Sequence, residues 1–105
     1  TSESTNTPTP IAKELVLGIN IKNYEFPDIS IDVGEVVEWK NLDLDMHSAT
    51  SGIWGNDDAG NLWDSGKLTF GNVFKFKFTE EGQYPYFCRI HPAMKGVVRV
   101  LDSSK

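Results

Sequence analysis

The segment Phe74-Lys75-Phe76-Lys77-Phe78 puts three aromatic rings on one face of an extended chain and two lysines on the other. Side chains alternate between faces with a period of two in a β-strand, so this run reads as a half-buried strand and not as a helix. The same period recurs along the chain. Leu15, Leu17, Ile19 and Ile21 alternate with Val16, Gly18, Asn20 and Lys22, and Ile29, Ile31 and Val33 repeat the pattern. Gly34 and Glu35 make a turn into Val36, Val37 and Trp39; later, Tyr84, Tyr86 and Cys88 share one parity, and Val98 and Val100 mark the last strand. Between Gly52 and Gly66 the alternation gives way to Gly, Asn, Asp and two tryptophans, which is the chemistry of a long loop. Six to eight short strands without a helical period predict an all-β fold, a Greek-key sandwich or barrel.

A chain of 105 residues has room for one domain. Residues 1–10 are Thr, Ser, Glu, Asn and Pro alone, which cannot pack a core, so a flexible tail is expected there, followed by the domain at 11–105. The sequence starts without Met or an apolar leader. The expectation is that a signal peptide or membrane anchor preceded this linker, in an extracytoplasmic protein, periplasmic or at the cell surface. A net charge of −5 with no basic stripe argues against nucleic acid as a partner, and no apolar run is long enough to span a bilayer. A monomer is expected.

Chemistry concentrates in Tyr86-Phe87-Cys88-Arg89-Ile90-His91-Pro92-Ala93-Met94-Lys95-Gly96. Cys88 is the one cysteine, so no internal disulfide forms; such a residue is most often a small buried apolar group. Here a Cys, a His and a Met fall within seven residues at a strand end, where a short loop can aim all three at one point. Thiolate, imidazole and thioether form a soft donor set suited to copper. A trigonal site needs a second imidazole, and the one other histidine is His47, shortly after the strand ending at Trp39 and Lys40. Thiolate and imidazole also suit zinc. A copper chaperone would carry more Met or Cys than the two Met and one Cys present, and multicopper or dinuclear centres need more His or a second Cys.

These segments together resemble the cupredoxins, within them the amicyanin, plastocyanin and halocyanin group. Val33 to Asn41 resembles the strand that leads to the family's first His ligand. Leu62-Trp63-Asp64-Ser65-Gly66-Lys67-Leu68 is similar to its middle segment, with Trp63 where Phe is common. Phe78 to Gly82 and Tyr84 to Cys88 resemble the strand feeding the copper loop, and Cys-x-x-His-x-x-Met has the compact amicyanin spacing. The resemblance implies one copper ion, cycling between Cu(I) and Cu(II), held by His47, Cys88 and His91 with Met94 as a long axial contact. The family places Asn directly after the first His. Here Ser48 keeps the backbone amide that faces the sulfur, and the side-chain hydrogen bonds that fix the loop are put in question.

The function implied is one-electron transport between redox partner proteins that dock transiently near His91, flanked by Ile90, Pro92 and Ala93. Arg89 and Lys95 bracket that patch, as partner-steering charges or as two solvated ones. The rival is reaction with a small ligand such as nitric oxide or nitrite at an open axial position, with Asp45 as the acid or base at hand. Trp39 is expected in the core; Trp54 and Trp63 are expected to pack under the long loop or to shield the metal.

Overall fold

The computed structural model describes residues 15–102. The tail expected at 1–10 and the domain's expected start at 11 lie outside the described residues.

Seven strands form among the described residues: β1 (Val16–Ile21), β2 (Ile29–Asp32), β3 (Val36–Asn41), β4 (Thr50–Ser51), β5 (Val73–Lys77), β6 (Gly82–Phe87) and β7 (Lys95–Leu101). One sheet has the order β1-β3-β5 and the other β2-β7-β6-β4, so the fold is an all-β sandwich. Successive strands change sheets until β6, which pairs antiparallel with β7. Because of this switching, two neighbouring pairs are parallel: β1 with β3 and β2 with β7. The β6–β7 connection is the Cys88–Met94 segment itself.

The alternation in the sequence is the alternation of burial. Phe74, Phe76 and Phe78 turn inward from β5 and its end, while Lys75 and Lys77 face solvent. Trp39 is fully buried at the centre, stacked on Trp63 with ring centroids 5.7 Å apart and edge-on to Tyr86 at 5.4 Å. Burying rings of this size contributes roughly 1.5–3 kcal/mol each. Burial pushes the Tyr86 phenol up to about 12, so it stays a donor, and it bonds the Pro27 carbonyl at 3.0 Å. Gly96 lies beneath this contact: a Cβ there would sit 3.1 Å from Phe26, from the Pro27 carbonyl and from the Tyr86 ring.

Two expectations change. Leu15 and Leu17 are exposed, because along β1 the core reaches only Ile19 and Ile21. Trp63 packs in the core as expected, but Trp54 is 61% exposed and not part of the core.

Candidate metal centre

His47 is placed by the end of β3. The last residue of that strand, Asn41, is fully buried, and its side-chain amide donates to the carbonyls of Asp45 (2.9 Å) and Leu68 (2.7 Å). Its Oδ1 accepts the Asp43 amide, so one side chain shapes the whole Leu42–Met46 turn before the histidine. His47 then forms a two-way backbone bridge with Leu68, at 3.0 and 2.7 Å. On the other strand pair, the Cys88 amide donates to the Met94 carbonyl and the Met94 amide to the His91 carbonyl, which closes the seven-residue loop.

The outcome is convergence. Cys88 Sγ lies 3.8 Å from Nδ1 of His47 and 3.8 Å from Nδ1 of His91, and the two Nδ1 atoms are 3.2 Å apart. A point between the three atoms is about 2 Å from each, the length of a bond from imidazole or thiolate to a transition metal. Cys88 and His47 are fully buried and His91 is half-buried. The Ser48 amide points at the sulfur at 3.4 Å, as a donor to a thiolate should. Met94 is buried at the far end of the loop, in the same cluster as Cys88. His47, Cys88 and His91 are thus positioned to bind one metal ion.

Ser48 does more than supply an amide. Its Oγ accepts the amide of Arg89, the residue after Cys88, at 2.9 Å, and bonds Thr50 Oγ1 at 2.8 Å. Thr50 donates onward to Asp64 Oδ1, and Asp64 Oδ2 accepts Arg89 Nε at 2.8 Å. The segments that follow His47 and precede His91 are therefore tied together through Ser48, Thr50, Asp64 and Arg89. The side-chain bonds expected to be at risk without Asn are rebuilt by a shorter side chain and a longer chain of partners. Arg89 is thus paired with Asp64 while its side chain stays 48% exposed. Burial pushes the Asp64 carboxyl up, but the Gly66 amide, Arg89 and Thr50 outweigh it and hold it below the ordinary carboxylate value.

Asp43 and Tyr24 are the residues that sequence reasoning missed. Asp43 Oδ2 bonds His47 Nε2 at 2.8 Å and fixes the ring with Nδ1 turned toward the sulfur. Burial acts to raise its carboxyl, and the bonds from Tyr24 N–H, His47 and Asn23 N–H hold it lowered. Asp45, the acid the sequence offered, is engaged by the Tyr24 hydroxyl, whose hydrogen bond it accepts. A carboxylate four residues before a histidine is too common a pattern to single out, and nothing in Asn23-Tyr24 marks it as neighbouring a site.

A two-sheet β-sandwich that buries one cysteine sulfur between two imidazoles, in a loop joining its last two strands, has the donor set of a small mononuclear copper protein. The family of copper-binding proteins that includes plastocyanin and azurin matches residues 13–101. Amicyanin of Paracoccus versutus is 34% identical over 91 residues, covering 85% of this chain and 66% of that protein. Amicyanin of Paracoccus denitrificans is 30% identical over 88 residues, covering 82% and 64%. The chain thus spans slightly under two thirds of these relatives' length. Among solved structures, a methionine-to-glutamine mutant of amicyanin with Cu(I) superposes with a TM-score of 0.70 at 26% identity, covering 82% of each chain. The copper-containing nitrite reductase of Thermus scotoductus SA-01 superposes with 0.73 at 26% identity, over 93% of this chain but 25% of that one. The chain belongs to the copper-binding plastocyanin/azurin family, and copper is its cofactor.

Proposed function

We propose that this protein carries single electrons between redox partner proteins, with copper held by His47, Cys88 and His91 and with Met94 as a weak axial donor. The observation that carries the reading is the convergence of two Nδ1 atoms and one buried sulfur, each already oriented by the protein. Copper in such a set supplies a one-electron Cu(I)/Cu(II) couple. The protein's part is to keep the donors still. Asp43 and the Leu68 bridge hold His47, and the Ser48 amide faces the sulfur. The Ser48–Thr50–Asp64–Arg89 chain ties the loop that bears Cys88 and His91 to the segment after His47. A site that moves little on gain or loss of an electron is what a carrier needs.

His91 is the half-buried member of the set, and Ile90, Pro92 and Ala93 beside it are exposed. A small apolar rim of this kind suits brief docking of a redox protein over a low contact area. An extracytoplasmic location and a monomeric state belong to the same reading. A carrier fits better than an enzyme, since both nearby carboxylates are engaged, Asp43 with His47 and Asp45 with Tyr24, and Met94 is buried. Voltammetry of the copper-loaded protein tests this. A reversible one-electron wave unaffected by added nitrite or nitric oxide is expected, and a catalytic current with either ligand would overturn the carrier reading.

A further inference from the structure

The turn at residues 22–25 is built at odds with its own residues. Glu25 N donates to the Lys22 carbonyl at 3.2 Å, and both central residues are left-handed: Asn23 at φ 57° and Tyr24 at φ 59°. Asn tolerates this region, whereas a bulky aromatic residue rarely adopts it. The conformation is imposed from outside. Asp43 accepts the amides of Asn23 (2.8 Å) and Tyr24 (2.9 Å) with its two oxygens, while also holding His47. Burial does not explain the ring's place, because Tyr24 is 46% exposed. What the ring touches is specific: it packs edge-on against His47 with centroids 5.1 Å apart, and against His91 at 5.0 Å.

The two imidazoles differ in how else they are held. His47 has its backbone bridge to Leu68 and its bond to Asp43. His91 sits on a short loop, and among the described residues no hydrogen bond reaches its Nε2. Its ring orientation therefore depends on what it packs against.

We propose that Tyr24 is a positioning residue for the copper centre, its ring walling in His91 so that Nδ1 stays turned toward Cys88 and His47. The strained turn is retained because it delivers the ring to that place, which is how unfavourable backbone conformations at functional sites are commonly maintained. The inference rests on the proposed ligand set.

The test compares Tyr24→Gly and Tyr24→Phe with the parent protein at neutral pH. Glycine adopts φ near 59° without cost, so Tyr24→Gly removes the ring while relieving the turn. Tyr24→Asn, the other type suited to this φ, serves as a second ring-free variant should the first fold poorly. Side-chain imidazole resonances of the Cu(I) protein and the rate of Cu(I) loss to bicinchoninate are read in each. In the ring-free variants His91 resonances should broaden while those of His47 stay sharp. Copper loss should quicken on the order of tenfold, the low end of what losing a positioning partner costs a metal site. Thermal stability should not fall in Tyr24→Gly, and Tyr24→Phe should match the parent. Unchanged His91 resonances in the ring-free variants would overturn the proposal. So would a Tyr24→Phe protein as loose as Tyr24→Gly, since the bond to Asp45 would then be the holder. A parent protein without thiolate-to-copper absorption would instead overturn the ligand set, and this inference with it.

Discussion

At the scale of single residues, Ser48 shows how a small side chain can take over a linking role by recruiting neighbours. Its Oγ accepts from the Arg89 amide and bonds the fully buried Thr50. Removing it in Ser48→Ala leaves the Arg89 amide without its acceptor, and losing a typical hydrogen bond costs about 0.5–1.5 kcal/mol. Urea unfolding of the metal-free protein should show a loss in that range, and an unchanged midpoint would mean that the Ser48 link is not made in solution. Met94 invites a different expectation. A weak axial donor tunes a copper site more than it anchors it. Met94→Leu should therefore retain copper while the reduction potential shifts, measured by voltammetry. A potential identical to the parent's would remove Met94 from the ligand set.

At the scale of elements, the long loop after β4 and the β6–β7 loop act as one unit through Asp64 and Arg89. Gly60 is part of the fit: it sits at φ +84°, and a Cβ there would come 2.5 Å from Arg89 Nη2. Asp64 is held below its ordinary carboxylate value when folded, so it binds protons less readily in the folded than in the unfolded chain. Its contribution is then complete above the unfolded value of about 3.9 and is lost as pH falls through the lower folded value. The parent should be more stable than Asp64→Asn at pH 7, by about 1 kcal/mol for a partly exposed pair, and the gap should narrow as pH falls below about 3.9. A gap that does not narrow on acidification, in urea unfolding of both proteins, would refute this linkage. The strands themselves were legible in the sequence because alternation and burial are the same pattern, as Phe74, Phe76 and Phe78 show against Lys75 and Lys77. The reach of the core was less legible: Leu15 and Leu17 alternate as well as Ile19 and Ile21 do, yet they lie beyond where the core ends and are exposed. Cys88, His91 and Met94 stood out because they are adjacent in sequence, and His47 because it is the one other imidazole. Asp43 did not, since a carboxylate four residues before a histidine is common, nor did Tyr24 and the Asp64–Arg89 pair, since contacts about 20 and 25 positions apart arise only once the chain has folded.

For the whole molecule, the sandwich is a mount for three donor atoms at one end. Trp39, stacked on Trp63 and edge-on to Tyr86, joins the two sheets. Trp39→Ala would empty the centre of that stack at a cost of about 3–5 kcal/mol, and calorimetry of the metal-free protein should show a correspondingly lower unfolding temperature. A loss well under 1 kcal/mol would mean that the stack does not join the sheets. Tyr86 lies on β6 two residues before Cys88, which follows directly on that strand's end, so the strand packed into the core also leads to the sulfur. Copper chemistry follows from that arrangement only if the buried sulfur is a ligand, since Cys88 is the one thiol in the chain. The visible absorption spectrum of the Cu(II)-loaded protein, compared with that of Cys88→Ser, addresses this directly. An intense thiolate-to-copper band in the parent and its complete loss in Cys88→Ser are predicted. A Cys88→Ser protein that keeps the full band, or a parent that binds Cu(II) without one, would contradict a copper centre built on His47, Cys88 and His91.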